Sequence, residues 1–427
     1  MRRIHRLPAL GLRYTCAAAL WRNLRSNSVN LYTHQLTFAA VSPEEAAARL
    51  AATSVFCSAW ELRTRPESGG RAELMVRFQS EEKRRSFQDS HGDLFQLSAL
   101  DHSSSDAISQ HNLPLGGDNL YARAETAVTL IAPPDFAFAE VLERELPLRH
   151  QTLSGPLLHS LYGVRHLPAR QSSCSALELY FDRSNATEAI RSIVPDLLAR
   201  WPMDVVAFPS SSKRPRRRLL VFDMDSTLIE CEVIDELAKI AGAGEAVASI
   251  TARAMRGELD FQSSFRERMS QLSGLPENAL QQVAEHLPVM PGAETLFRQL
   301  RLQGHYTAIL SGGFDFFATH LQGKLGINEV HANQLDIQNG LLSGETRGAI
   351  VDGERKLLLL RELAEREDFD LLDTVAVGDG ANDLPMISAA GLGVAFHAKP
   401  VVQERSPAFV NRAGLDALLA VLGMVSD

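Results

Sequence analysis

The chain has 427 residues, which at about 100 to 200 residues per domain leaves room for two to four domains with cores of their own. It is 45% hydrophobic and 22% charged, with 28 glycines and 19 prolines, a balance that excludes collagen-like and intrinsically disordered chains. With 43 basic against 52 acidic side chains the net charge is -9, so bulk electrostatics gives no ground for nucleic-acid or anionic-membrane partners.

Cys16, Cys57, Cys174 and Cys231 are widely scattered and form no CxxC pair, a usage that fits a reducing cytoplasm and not a disulfide-stapled secreted domain. No apolar run approaches the roughly 20 residues of a membrane helix, so a soluble, cytoplasmic protein is expected. Residues 1–30 carry six arginines and no acid, a bias that resembles a transit peptide. The apolar stretch Leu7 to Leu12 is too short for a secretory signal, and the segment is read as a flexible basic extension.

Residues 31–120 open on apolar alternation at Leu36, Phe38 and Ala40, followed by the capping box Ser42-Pro43-Glu44-Glu45. Strand-like runs from Val55 to Leu62 and from Ala72 to Phe78 then flank the turn Ser68-Gly69-Gly70. In residues 121–209 the same order returns. Ala127 to Ala132 is a strand, Pro133-Pro134-Asp135 opens a helix and Ala176 to Phe181 is a strand. A helix carrying Ile190, Ile193 and Leu197, with a kink expected at Pro195, leads to the strand Val205 to Phe208. This βαββαβ order resembles ACT-type amino-acid-sensing modules, the first copy degenerate. The resemblance implies a homodimer through this region and assigns no ligand-binding residue; an α+β dimerisation module without a ligand is the alternative. Residues 210–218, polar, proline-broken and then basic, read as a linker.

Directly after it, Leu219-Leu220-Val221-Phe222 is apolar without alternation, as a buried parallel strand is, and runs into Asp223-Met224-Asp225-Ser226-Thr227. Carboxylates at the end of such a strand face the ligand crevice of an open α/β sheet. Tyr306 to Leu310 is a second such run, ending in Ser311-Gly312-Gly313, and Thr374 to Val377 a third, ending in Gly378-Asp379-Gly380-Ala381-Asn382-Asp383. Lys356 lies between them on a helix beginning near Glu354. Phosphoryl transfer needs this inventory: a nucleophile, oxygen ligands for a hard cation, donors around the phosphoryl group and an acid or base for the leaving oxygen.

In this order the motifs resemble the haloacid dehalogenase-like phosphohydrolases, and within them the phosphoserine phosphatases, over about half the chain. The fold class expected is α/β: a Rossmann-like parallel-sheet catalytic domain at 219–427 with a helical cap insert near 230–287, preceded by the α+β, ACT-like modules. The resemblance implies that Asp223 is the nucleophile forming an aspartyl-phosphate and that Asp225 is the general acid and base. It implies Mg²⁺ held by Asp223, the Asp225 carbonyl and Asp379, with phosphate held by Lys356, Ser311 and Gly312, and with Asn382 and Asp383 in support. A free amino acid carries an ammonium and a carboxylate, which call for one acid and one guanidinium. The resemblance supplies Glu232 and Arg268, with Met255 and Phe261 as the apolar wall. It implies hydrolysis of O-phospho-L-serine to L-serine and phosphate, the last step of serine biosynthesis. Three rivals remain open: the same chemistry on another phosphomonoester or with homoserine as acceptor, an ACT-type sensor protein, and a DxD glycosyltransferase. Asn339-Gly340 marks a hairpin flap near the site.

Overall fold

The computed structural model describes residues 34–39, 46, 49–50, 53, 56–64, 71–91, 95–99, 124–138, 141, 161–167, 172–181, 186–209 and 218–424. The basic extension, the turn at 68–70 and most of the linker lie outside these residues.

The N-terminal half contributes β1 (His34–Ala39), β2 (Cys57–Thr64), β3 (Arg71–Phe78), α1 (Glu81–His91), β4 (Gln96–Ala99), β5 (Thr126–Ala132), β6 (Leu161–Leu167), β7 (Ser175–Phe181), α2 (Ala186–Arg200) and β8 (Asp204–Pro209). Its strands form one eight-stranded sheet in the order β4-β1-β3-β2-β6-β7-β5-β8. Each half of that sheet has the same internal order, and the two join edge to edge where β2 pairs antiparallel with β6, Leu62 opposite Val164. Pairing in this way removes an exposed edge from each unit. Along β5, Val128, Leu130 and Ala132 pack with Ile190, Val194 and Leu197 of α2, while Ala127 and Ile131 point to the opposite face. The helix α2 runs unbroken through Pro195.

The second half begins with β9 (Leu219–Phe222), followed by the cap helices α3 (Val233–Ile240), α4 (Gly244–Met255), α5 (Phe261–Ser270) and α6 (Asn278–Ala284). It continues through α7 (Ala293–Leu302), β10 (Tyr306–Phe314), α8 (Asp315–Leu325), β11 (Glu329–Gln338), β12 (Leu341–Arg347) and α9 (Gly353–Arg366). Then come β13 (Thr374–Gly378), α10 (Leu384–Ala389), β14 (Leu392–Phe396), α11 (Pro400–Arg405), β15 (Ala408–Val410) and α12 (Ala417–Val421). The seven strands lie in the order β12-β11-β10-β9-β13-β14-β15, parallel from β11 to β15 with β12 antiparallel. In β9 all four residues are buried, Leu220 and Phe222 against one layer and Leu219 and Val221 against the other, so the unalternating run reflects burial on both faces. The chain turns from β9 to β10 on one side and β13 on the other, which makes the end of β9 the topological switch point.

Two connections tie the cap to the sheet, and they are stitched to each other: Glu230 N–H donates to the Pro288 carbonyl (2.8 Å) and Met290 N–H to that of Leu228 (2.9 Å). The expected hairpin forms with Asn339 and Gly340 both at positive φ (52° and 76°), the pair an I′ turn requires. Its second strand hydrogen-bonds the cap loop, Gly274 N–H to the Leu342 carbonyl and Leu342 N–H to that of Leu275.

The free face of β5 to β8 rests on the C-terminal segment of the second half, where Ala127, Ala176, Tyr180 and Phe208 share one apolar cluster with Leu415, Leu418 and Leu422. Two buried carboxylates fasten this contact. Asp204 accepts from the amides of Asn411, Arg412 and Ala413 (2.9–3.0 Å), and Asp416 from Ser172 Oγ, Ser173 N and Ser173 Oγ (2.6–2.8 Å). Three donors to each carboxylate satisfy its oxygens away from water.

Candidate active site

Three strand ends converge at the switch point. Asp223 follows β9 directly; its N–H donates to the Val377 carbonyl (2.9 Å) and its Oδ1 accepts from Met224 N–H (2.8 Å), which fixes the carboxylate. Lys356 is wholly buried on α9, with Nζ 2.8 Å from Asp223 Oδ1 and 2.6 Å from Asp383 Oδ1. The second oxygen of Asp383 accepts from Gly380 N–H (3.0 Å). The α9 helix is started by Asp352, whose carboxylate accepts from Arg355 N–H (2.9 Å), a cap that positions the lysine one turn in.

Asp225 stands two residues beyond Asp223, where its Oδ1 accepts from Val233 N–H (3.0 Å) at the start of the cap. A Cβ on Gly313 would lie 2.4 Å from Asp225 Oδ2, so the close approach of β10 to this carboxylate requires glycine there. Gly313 N–H donates to the buried Ser311 Oγ (2.9 Å). Asn382 folds over the loop after β13, its Oδ1 2.3 Å from where a Gly380 Cβ would be.

The electrostatics follows from burial. Desolvation, with Asp383 and Asp379 adding to it, holds the Asp223 carboxyl well above the usual carboxylate range in spite of Lys356. Burial and then Glu232 raise Asp225 likewise, and burial with Asp383 and Glu232 pushes Asp379 up to about 7. Burial disfavours charge on Lys356, yet Asp223 and Asp383 outweigh it and raise its pKa. Oxygens of Asp223, Asp379 and Asp383 lie within 4.8 Å of one another. With Asp383 bound to Lys356 and Gly380, the donors open to a cation are Asp223 and Asp379, an all-oxygen set that fits a hard metal ion.

These shifts predict how the metal-free chain responds to pH. Below the ordinary carboxylate pKa, Asp379 is protonated whether folded or unfolded. Above it the unfolded chain gives up the proton while the folded chain keeps it until about pH 7, so folding is progressively disfavoured as pH rises through that window. The melting temperature in chelator should therefore fall between pH 5 and 7.5, and Asp379→Asn should flatten the trend; an unchanged slope in the variant would contradict this origin.

The cap places the remaining expected residues. Phe261, Phe265 and Arg268 share one face of α5 by their i, i+4 and i+7 spacing. Phe261 Cζ is 3.1 Å from where a Gly312 Cβ would be, and Phe265 packs against Phe314 at the end of β10. Arg268 Nε is buried and has no hydrogen-bond partner among the described residues. Glu232 is exposed just before α3, and its Oε1 accepts from Ser226 Oγ (3.1 Å). Met255 departs from expectation. It ends α4 with 70% of its surface exposed, whereas Phe261 packs against Gly312.

Sequence reasoning passed over three supporting residues. Ser226 steadies Glu232 from a left-handed backbone (φ 56°), and Thr227 Oγ1 lies 3.5 Å from Asp379 Oδ1. Buried Asn333 on β11 donates to the Gly312 carbonyl (2.8 Å) and accepts from Val351 N–H (2.9 Å), tying the β10 end to the loop before α9. The first two sit inside the DxDST motif, which was the available signal; Asn333 has none.

A family profile described as haloacid dehalogenase-like hydrolase matches residues 220–388. A phosphoserine phosphatase of Haemophilus influenzae is 49% identical over 220 residues, covering 52% of this chain and 70% of that protein. The chain belongs to the haloacid dehalogenase-like hydrolases, in the phosphoserine phosphatase family. It is accordingly a phosphatase. Among solved structures, a hydrolase of this superfamily from Salmonella enterica serovar Typhi matches with a TM-score of 0.60 and 29% identity over 70% of this chain and 99% of the other. An unliganded probable phosphoserine phosphatase from Vibrio cholerae matches with a TM-score of 0.51 and 40% identity over 58% of this chain and 75% of the other. Among the described residues no helix is long and apolar enough to cross a membrane.

Proposed function

We propose that this hydrolase cleaves O-phospho-L-serine to L-serine and phosphate with Mg²⁺ at Asp223, the Asp225 carbonyl and Asp379. The reading rests above all on the Asp223 carboxylate, held at the switch point by Lys356 and Met224 N–H with its second oxygen left for attack. Asp223 forms a bond to phosphorus as the phosphorus–serine oxygen bond breaks, and Asp225, whose raised pKa lets it carry a proton, passes that proton to the leaving oxygen. Asp225 then takes a proton from water, the hydroxide attacks phosphorus, and the bond to Asp223 breaks to release phosphate. Lys356, Ser311 and the Gly312 amide hold the phosphoryl oxygens, with Asn382 and Asp383 behind them. When bound, Mg²⁺ offsets the repulsion between the phosphate and the carboxylates and draws charge from the phosphoryl oxygens.

Glu232 takes the substrate ammonium and Arg268 its carboxylate; the unpartnered Arg268 Nε supports this. Against a panel of phosphoserine, phosphothreonine, phosphoglycolate, pyridoxal phosphate and phenyl phosphate, phosphoserine should lead in kcat/KM. Arg268→Ala should lower kcat/KM for phosphoserine by about 10- to 100-fold, the scale of a lost charged hydrogen bond, and leave phenyl phosphate nearly unchanged. Equal losses on both esters would reject the pocket, and preference for another ester, or transfer to homoserine, would replace the substrate.

The N-terminal sheet, two units of like strand order joined at their edges, supports a pair of ACT-type modules.

A further inference from the structure

Among the described residues, one hydrogen bond joins α5 of the cap to the sheet domain beside the catalytic strand ends. Gln262, the second residue of α5, donates from Nε2 to Asp352 Oδ2 at 2.7 Å. The amide is oriented from behind, because Arg266 donates to its Oε1 (3.2 Å) and leaves Nε2 to face Asp352. The acceptor is equally fixed: its other oxygen caps α9, the helix that carries Lys356.

Phe261, the preceding residue, packs on Gly312, and the Val351 carbonyl is 3.3 Å from the same Gly312 Cβ position. Asn333 joins Gly312 to Val351. Thus the first two residues of α5 grip a unit already braced internally, the ring clamping Gly312 and the amide clamping Asp352. The cap's other hydrogen bonds to the sheet domain among the described residues lie at its two connections and between the loop after α5 and the β12 hairpin, and Phe265 of α5 packs on Phe314.

We propose that Gln262 and Asp352 form the latch that holds the cap closed over the substrate, acting as positioning residues for the hydrolysis. The proposal rests on the phosphoserine reading for its kinetic readout and on geometry alone for its structural one. Opening must break this bond, and a smaller closed fraction raises the apparent dissociation constant in proportion.

The test uses the full chain with Gln262→Ala, Asp352→Ser and the double variant; serine keeps the helix cap but is too short to reach Gln262. Each single variant should raise KM for phosphoserine about tenfold, the scale of a hydrogen bond to a charged acceptor, with kcat changed less than about twofold. The double variant should be no worse than either single one. Asp352→Asn, which keeps the cap oxygen but turns an amide N–H toward Gln262 Nε2, should raise KM as much as Asp352→Ser. Without substrate, hydrogen exchange across residues 244–270 should accelerate in both single variants. Unchanged KM, additive effects or unchanged exchange would overturn the latch. A parent enzyme inactive on phosphoserine would overturn the substrate reading instead, and the exchange measurement would still decide the latch.

Discussion

Asp223→Asn should lower phosphate release by at least about 10⁴-fold while leaving the fold intact. The amide keeps an oxygen to accept from Met224 N–H and occupies the same volume, so the packing at the end of β9 has no reason to change. What it loses is the anionic oxygen that attacks phosphorus, and no neighbour replaces it. Asp225 is turned toward Val233 N–H at the base of the cap, and Asp383 is held by Lys356 and Gly380. Stopped assays at high enzyme concentration measure the residual rate. A loss of tenfold or less would mean that another group does the chemistry.

Lys356→Met should damage stability and activity together. The lysine is fully buried between Asp223 and Asp383, with Asp379 in the same cluster. Removing one partner of a buried ion pair leaves uncompensated charge, at about 3–5 kcal/mol of unfolding free energy. Asp223 and Asp379, whose carboxyls burial already holds high, then relieve the strain by binding protons, so the loss should be smaller at pH 5 than at pH 8, as denaturant titration at both values would show. Activity should fall about 10³-fold with the loss of charge at the phosphoryl group. A stable, fully folded variant at pH 8 would contradict the assignment of Lys356 as the counter-charge of this cluster.

The catalytic half was legible because buried parallel strands are written as unbroken apolar runs, and β9, β10 and β13 each end in the residues that converge at the switch point. Turn chemistry likewise announced the β11–β12 hairpin through Asn339-Gly340. Other features were hidden by their physics. β6 carries Gly163, Arg165 and His166 among its apolar residues, and β4 has four residues, so neither shows a strand period. Asp204 and Asp416 look like ordinary surface acids until tertiary structure brings the amides of 411–413 and the serines at 172 and 173 onto them. Gln262 and Asp352 are 90 residues apart, and no local pattern joins them. Met255, placed in the wall by resemblance alone, ends α4 with its side chain exposed, and no local pattern announces that.

The most direct test is to trap the covalent intermediate. The full chain, mixed with O-phospho-L-serine and Mg²⁺, is quenched in acid during turnover, reduced with borohydride and digested, and the peptide beginning at Leu219 is sequenced by mass spectrometry. An acyl phosphate on Asp223 is reduced to homoserine at that position, so homoserine at 223, absent without substrate and absent in Asp223→Asn, is the predicted result. Phosphate release at full rate with Asp223 unmodified, or with the label on Asp225, would contradict the account.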